Sequence, residues 1–210
     1  MKMNSWPTVV IVGLSMLSAC GGEDLSQSQA DMAEPSTENL AQTSNGLVVD
    51  GNDNQFMEYH GGSGGSFNTA YCDPGYVAVS IKGRAGQHID RIVLTCHKLL
   101  PDGGIGSDWH TTAWQGGAGG ADFRMDCPLG QAIVQVYGAN GWYVDRLGIA
   151  CATPMGWLNT FSAESYPAAV GGTGGGFFFD RCNQGFMLTG LNLRTGELVD
   201  GVQGRCSKLN

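Results

Sequence analysis

A glycine-rich pentapeptide of the form GG-x-GG occurs three times in the 210-residue chain, at intervals of 55 residues. The three copies begin at Gly61, Gly116 and Gly171. Four further positions recur at the same interval: Cys72, Cys127 and Cys182; Gly86, Gly141 and Gly196; Asp90, Asp145 and Asp200; Cys96, Cys151 and Cys206. A period of this length, held by glycines and cysteines in fixed register, predicts a fold built from three similar units.

The lengths of the units indicate how the chain closes. The first two units cover residues 61–115 and 116–170, whereas the third, 171–210, lacks the last 15 positions. The segment 46–60 has this missing length, and it contains a predicted strand at Phe56–Tyr59. We therefore expect residues 46–60 to pair beside the last unit and to close a ring of three small sheets, which would also remove an exposed sheet edge.

The pattern within each unit is that of β-strands. Positions 77/79/81, 132/134/136 and 187/189/191 are mostly apolar and alternate with more polar residues such as Ser80 and Gln135. A second short alternating segment follows each Gly-x-x-x-Asp (GxxxD) motif. No helical stretch is found anywhere after the predicted signal peptide, so the sequence predicts an all-β domain over residues 46–210.

The seven cysteines fit an exported protein. Six of them lie in the units and allow 15 pairings, but each unit holds one pair separated by 24 residues. The favoured bridges are Cys72–Cys96, Cys127–Cys151 and Cys182–Cys206. The alternative, a zinc site, lacks the CxxC or HxxxH spacing, and the four histidines, His60, His88, His97 and His110, show no ligand spacing either. We expect neither a metal nor a cofactor.

The N-terminus has the pattern of an export signal. Lys2 precedes the apolar stretch Val9–Leu17, which is too short to span a bilayer and predicts a signal peptide over residues 1–19. The sequence Leu17-Ser18-Ala19-Cys20 resembles the lipobox of bacterial lipoproteins, which implies lipidation of Cys20. Gly21 then favours the outer membrane, at the cell surface or its periplasmic face. The alternative is an ordinary signal peptide followed by a free cysteine.

The negative charge of the chain is concentrated in one segment. The formal net charge is −8, and the residues from Gly21 to Glu58 include eight acids and no Lys or Arg. Residues 20–45 therefore read as a lipidated cysteine followed by a disordered acidic linker. The net negative charge argues against a partner held by phosphate neutralisation, so no nucleic-acid partner is expected, and membrane contact is expected through the lipid anchor only. The rest of the chain is nearly neutral.

At this point the motifs resemble a known family. Three GG-x-GG loops, each followed 25 residues later by the start of a GxxxD loop, resemble those of the jacalin-related lectins, and most closely the griffithsin-like members. The resemblance covers residues 61–210 and implies a β-prism, three four-stranded sheets around a pseudo-threefold axis. The step Cys72-Asp73-Pro74-Gly75 is similar to vitelline membrane outer layer protein, another β-prism.

The resemblance implies that the chain binds neutral, mannose-type hexose glycans. The sequence contains no P-loop and no recurring His with a nucleophile, so we do not expect an enzyme. In griffithsin-like lectins the Asp of one unit faces the last Gly of the next GG-x-GG, which implies three pairs: Asp90 with Gly120, Asp145 with Gly175, and Asp200 with Gly65. The family's aromatic position corresponds to His88, Tyr143 and Leu198. Because the second loop carries both Trp142 and Tyr143, we expect its site to bind best. The third loop has Leu198 at the aromatic position and an extra acid, so we expect its site to be the weakest or silent.

The chemistry of these loops suits a neutral sugar, but each residue has a structural alternative. A carboxylate accepts charge-assisted hydrogen bonds from two vicinal hydroxyls, and backbone N–H groups at glycine turns donate to the same oxygens. Alternatively, each Asp forms an Asx turn, each Gly serves a positive φ, and Trp142 and Tyr143 belong to the core. The competing function is a structural or protein-interaction β-prism of the vitelline type that binds no sugar. The sequence does not predict an oligomeric state.

Overall fold

The computed structural model describes residues 46–210, which form fourteen β-strands and one short α-helix. The predicted signal peptide, the lipidated Cys20 and the acidic linker lie outside the described residues. In residues 46–210 no helix combines the length and apolar character needed to cross a bilayer.

The strands follow one another through the three units. They are β1 (Val49–Phe56), β2 (His60–Gly61), β3 (Ser66–Tyr71), β4 (Tyr76–Ala85), β5 (Ile89–Leu99), β6 (Ile105–Thr111), β7 (Gln115–Gly116), β8 (Ala121–Asp126), β9 (Ala132–Asn140), β10 (Val144–Ala152), β11 (Val170–Gly171), β12 (Gly176–Arg181), β13 (Phe186–Thr195) and β14 (Val199–Leu209). Helix α1 (Pro154–Thr160) lies between β10 and β11.

These strands form three antiparallel sheets. Sheet A has the order β1-β14-β13-β3 with β2 also against β14, sheet B has the order β6-β5-β4-β8 with β7 also against β5, and sheet C has the order β11-β10-β9-β12. Each sheet takes a hairpin from one unit and the strand after GG-x-GG from the next. In sheet B, for example, β4 and β5 belong to the first unit and β8 to the second. The units are therefore interlocked, and no unit completes a sheet alone.

The three sheets enclose one hydrophobic core. Strands β4, β9 and β13 contact one another in all three pairs, and their inward side chains, such as Ile81, Val136 and Leu191, are buried. Ser80 and Gln135, expected as exposed polar positions, are also buried. In both strands a bulge interrupts the pairing next to these residues, so the period-two pattern fails there.

The N-terminal segment closes the ring as the lengths of the units predict. Strand β1 pairs with β14, with Val49 opposite Leu209 and Phe56 opposite Arg205. The predicted strand at Phe56–Tyr59 is wrong, since β1 covers Val49–Phe56. Strand β1 is mostly polar and shows little apolar alternation, so sequence patterning does not reveal it. It adopts a strand conformation because it pairs with the open edge of β14.

The prediction that residues 46–210 contain no helix is also wrong. Thr153 caps α1 by accepting a hydrogen bond from Gly156 N–H (3.1 Å), and Pro154 occupies the first turn. At the other end Phe161 adopts a left-handed conformation with φ 52°. The helix has only seven residues and is anchored by the fully buried Trp157. Such a short helix has no amphipathic pattern that sequence analysis could detect.

The predicted disulfide pairing is confirmed in all three units. In each unit the first cysteine directly follows a strand of one sheet, and the second lies in a strand of the next sheet. Cys72 follows β3 of sheet A and bonds to Cys96 in β5 of sheet B. The bridges therefore join neighbouring sheets around the ring.

Candidate functional site

The three GxxxD motifs form the turns of the hairpins β4–β5, β9–β10 and β13–β14. In each turn the glycine N–H donates to the carbonyl two residues later, as from Gly86 to His88 at 2.9 Å. This tight turn places the aspartate at the start of the second strand. Asp90, Asp145 and Asp200 are equally buried, each 7% exposed.

Each aspartate lies against the GG-x-GG loop of the following unit. A Cβ atom on Gly120, Gly175 or Gly65 would lie 2.5 Å from Oδ2 of Asp90, Asp145 or Asp200, respectively. These three glycines also have positive φ angles, 63°, 76° and 61°. Glycine is therefore required here for both conformation and space. The structure brings together the three Asp–Gly pairs that the resemblance implies, here called the first (Asp90), second (Asp145) and third (Asp200) sites.

Each site leaves hydrogen-bonding groups free. Among residues 46–210 no backbone N–H donates to any of the three carboxylates, which is not the geometry of an Asx turn. The N–H groups of the last two glycines of each GG-x-GG, for example Gly64 and Gly65, also have no acceptor among these residues. Each site thus offers a carboxylate acceptor beside two N–H donors, and this combination suits a pair of hydroxyl groups.

A third element borders each site, and the sequence did not reveal it. The backbone of the second GG-x-GG glycine packs against a GxxxD loop from the remaining unit. A Cβ on Gly117 would meet the Glu197 carbonyl, and one on Gly172 would meet the Gln87 carbonyl. The three hairpin turns therefore meet at one end of the ring, and each site combines parts of three units.

This arrangement corrects the position of His88. The histidine was expected beside Asp90 at the first site, but its Nδ1 lies 2.9 Å from Oδ1 of Asp145 at the second site, and its ring centroid lies 5.2 Å from that of Tyr143. The contact does not have hydrogen-bond geometry, and His88 Nδ1 is buried without a partner. The side chain of His88 therefore lies beside the Asp145 carboxylate, although His88 belongs to the first GxxxD loop.

The two aromatic residues of the second loop are exposed, so the core alternative for them is wrong. Trp142 is 83% exposed and Tyr143 38% exposed. Trp142, however, borders the third site: its carbonyl faces Gly62, and it lines a groove of about 490 Å³ together with Tyr59 and Ser63. The expectation that the second site holds both aromatics is therefore wrong, because Trp142 packs against the GG-x-GG loop of the third site while Tyr143 stays beside His88 at the second.

Two arginines that sequence reasoning missed support the GG-x-GG loops. Arg84 donates to the carbonyls of Gly119 (2.7 Å) and Gly120 (2.6 Å) at the first site. Arg194 donates to Gly64 (2.8 Å) and Gly65 (3.0 Å) at the third. The corresponding residue of the second unit is Ala139. The 55-residue register could have revealed this difference, but a lone arginine in a strand reads as an ordinary surface residue.

One group of side chains away from these loops has metal-ligand chemistry. Glu58, His60 and Asp180 each bring one ligand atom within 4.8 Å of the others. His60 Nε2 already contacts Asp180 Oδ2 at 2.5 Å, and its ring stacks on Phe178 with centroids 4.2 Å apart. The two residues therefore form a packed pair. Sequence spacing could not show the group, since Asp180 lies more than 100 residues from the other two.

No protein-family model matches the chain, and no curated protein sequence matches it. Solved structures do match its fold. A banana lectin superposes with a TM-score of 0.55 at 21% identity, over 73% of this chain and 98% of the lectin. Artocarpin complexed with methyl-α-mannose gives 0.54 at 14%, covering 74% and 98%. A mannose-binding jacalin-related lectin from Ananas comosus gives 0.52 at 16%, also over 74% and 98%.

These similarities, together with the three sheets around one core, decide the architecture. The fold is a β-prism. The identities are low, so the likeness concerns the fold of the described residues. The β-prism places the three Asp–Gly sites at one end of the domain because its hairpin turns meet there.

Proposed function

We propose that this β-prism is a lectin that binds neutral, mannose-type hexose glycans through its three Asp–Gly sites. The observation that carries the proposal is the carboxylate of each GxxxD loop, packed against a GG-x-GG loop whose last two N–H groups are free. Two of the similar structures are described as mannose-binding or mannose-bound, and this supports the same ligand class.

A neutral hexose cannot form an ion pair with the protein, so its binding at these sites depends on hydrogen bonds. Two vicinal hydroxyls donate to the aspartate oxygens, and the glycine N–H groups donate back to the same hydroxyl oxygens. Each carboxylate is nearly buried, so these bonds form in a medium of low dielectric constant, where they are stronger. At the third site the exposed ring of Trp142 supplies an apolar surface for one face of the sugar.

The three sites differ in what surrounds them. The third site has Arg194 on its glycine loop and Trp142 at its border, the first has Arg84 but faces Glu197, and the second lacks an arginine while His88 contacts its carboxylate. We therefore rank the third site as the strongest and the second as the weakest, which reverses the order expected from the aromatic residues of the loops. Three sites on one domain allow a branched glycan to bind with avidity.

We further propose that a lipid on Cys20 holds this domain at the outer membrane, at the cell surface or on the periplasmic face. The lipobox-like sequence ending at Cys20 supports the anchor, and the acidic residues that follow support a spacer. The lectin would then present its sites to glycans near the membrane.

A glycan array tests the binding function. We expect the whole chain to bind mannose-terminated glycans and the triple variant Asp90→Ala/Asp145→Ala/Asp200→Ala to bind none. Asp53→Ala is the matched control, since Asp53 pairs with Lys208 toward the end of β14 remote from Asp200. A folded wild-type chain that binds no glycan would overturn the proposal and favour the vitelline-type function.

Single variants test the ranking of the sites. Each Asp→Ala change removes charge-assisted hydrogen bonds worth about 1.5–3 kcal/mol, so affinity at that site should fall roughly tenfold to hundredfold. NMR titration with methyl-α-mannoside resolves the three loops. If Asp200→Ala leaves the strongest binding unchanged, the ranking of the third site is wrong.

A further inference from the structure

Sheet B has a cleft that is lined by side chains of its strands and lies away from the hairpin turns. The cleft has a volume of about 570 Å³, and its lining includes Val79, Ser80, Thr95, Ile105, Pro128 and Leu129. This volume lies in the range of small-molecule sites. The lining residues belong to β4, β5, β6, β8 and the turn after β8, and none of them lies in an Asp–Gly site. The two from β8 are Arg124 and Asp126, which form an ion pair.

Two hydroxyl groups in the lining have no hydrogen-bond partner. Ser80 and Thr95 face each other across β4 and β5, are 1% and 5% exposed, and their hydroxyl oxygens are buried without a partner among the described residues. Ser80 also lies opposite Asp126 of β8, whose carboxylate is the protein group closest to serving as a partner for its hydroxyl. Buried hydroxyls without partners are costly, and natural proteins place them mainly where a ligand or water completes the bonding.

The threefold repeat shows what occupies the same place in sheet C. There the positions of Asp126 and Gly106 are taken by Arg181 and Phe161, and the guanidinium lies 4.2 Å from the ring centroid of Phe161. Trp157 of α1 packs against Phe161 with centroids 4.7 Å apart and is fully buried. In sheet C the space is therefore filled by the protein's own aromatic rings.

The indole of Trp157 is held by one hydrogen bond. Its Nε1 donates to the Asn183 carbonyl at 3.0 Å, and that carbonyl also accepts the turn bond from Phe186 N–H. The equivalent of Asn183 in sheet B is Pro128, whose carbonyl accepts the same turn bond from Gln131 N–H at 3.0 Å. Among the described residues no side chain donates to Pro128 O as Trp157 donates to Asn183 O.

Sheet A fills the same place in another way. Arg205 takes the position of Thr95, lies 4.7 Å from the ring of Tyr71, and donates to the Gly51 carbonyl at 3.3 Å. The cavity that remains there is only about 100 Å³. In sheet B the small residues Gly106 and Thr95 stand where sheet C has Phe161 and sheet A has Arg205, so the cleft stays open. Arg124 lies at its border and pairs with Asp126.

We propose that the sheet B cleft binds a small aromatic molecule that carries an N–H or O–H donor. Its ring takes the place of Trp157 and Phe161, and its donor bonds to the Pro128 carbonyl. The site is separate from the Asp–Gly sites and takes a different class of ligand.

Titration of the ¹⁵N-labelled whole chain with indole tests the site. We expect saturable shifts at Ile105–Ser107 and Leu129–Gln131, with the hairpin loops unaffected. Benzofuran has the same shape without the N–H donor and should bind about five- to tenfold more weakly. Equal affinity for the two compounds would overturn the role of Pro128, and an absence of saturable shifts would overturn the site.

Two variants copy the other sheets and should close the cleft. Thr95→Arg reproduces Arg205 of sheet A, and Gly106→Phe reproduces Phe161 of sheet C. Each should weaken indole binding more than tenfold while leaving methyl-α-mannoside shifts at the hairpin loops unchanged, which also reports that the variant is folded. Indole binding that persists in both folded variants would contradict the proposal. Loss of sugar binding in the wild type would bear only on the lectin function.

Discussion

At the scale of single residues, the three sites share the same Asp and Gly residues and differ mainly in the side chains that support their glycine loops. The aspartates and glycines are the same at each site, with the same burial of the carboxylate. Arg84 and Arg194 hold the carbonyls of the glycine loops at the first and third sites, and Ala139 leaves the glycine loop of the second site without this support. A glycine-rich loop that is already held in place loses less entropy on binding.

Removing an arginine should therefore weaken one site only. We expect Arg194→Ala to lower affinity at the third site about threefold to tenfold, because two loop hydrogen bonds are lost. The converse variant, Ala139→Arg, should strengthen the second site. NMR titration of each loop measures both effects. Equal weakening at all three sites would show that Arg194 acts on the fold rather than on its loop.

The last glycine of GG-x-GG permits a second test. Gly65→Ala should abolish binding at the third site, since the new Cβ would meet Oδ2 of Asp200 at a φ of 61°. Gly75→Ala is the control: its φ is 86°, so it carries a similar backbone strain of about 1–2 kcal/mol, but no atom lies within 4 Å of the added Cβ. Both changes should lower the free energy of unfolding, and only the first should remove sugar binding.

At the scale of elements, the sheets are held together by covalent bonds as well as by packing. Each sheet contains one strand from the next unit along the ring. The cysteine that follows this strand forms a disulfide with a cysteine in the hairpin of the same unit, which belongs to the neighbouring sheet. The bridges therefore oppose the separation of neighbouring sheets. This matters in a chain with 34 glycines, whose unfolded state has high conformational entropy.

Loss of one bridge should be costly but local. The double variant Cys127→Ala/Cys151→Ala should lower the free energy of unfolding by about 3 kcal/mol, the value for a loop of this length. Urea unfolding measures the change, and the sugar affinity of the remaining folded protein should be preserved. A loss below about 1 kcal/mol would mean that the bridge adds little to the packing of sheets B and C.

The closing strand β1 makes a separate prediction. Deleting residues 46–56 would uncover the edge of β14, whose backbone pairs with β1 from Val49 to Phe56. We expect lower stability and self-association through this edge, measurable by thermal unfolding and analytical ultracentrifugation. A monomeric variant of unchanged stability would show that sheet A does not depend on β1.

At the scale of the whole molecule, the N-terminal sequence and the β-prism make different contributions. The β-prism carries the proposed sugar sites, and a lipid on Cys20 would hold these sites at the membrane. Cys20→Ser should leave the protein without lipid and free of the membrane fraction, because the acyl chains supply stable attachment. Fractionation and intact mass measure this. Lipid mass on the variant, or continued membrane attachment, would contradict the lipobox hypothesis.

Much of the architecture was determined by the sequence alone. The 55-residue register identified three units, the equal 24-residue spacing identified the disulfides, and the two lengths left over identified the closing segment. The Asp–Gly pairs followed from the resemblance. These features are predictable because few residues can replace a glycine at positive φ or a disulfide-bonded cysteine. The spacing of these residues in the sequence therefore indicates where the backbone turns and where it is cross-linked.

Only the tertiary structure decided which side chains surround each site. His88 meets Asp145, and Trp142 borders the GG-x-GG loop that packs against Asp200. The three hairpins converge at one end of the ring and so bring together residues separated by 50 or more positions. In the same way, the position of α1 beside sheet C decides that Trp157 fills a space there that stays open in sheet B. Contacts of this kind depend on how the sheets pack around the axis, and no local pattern of residues encodes them.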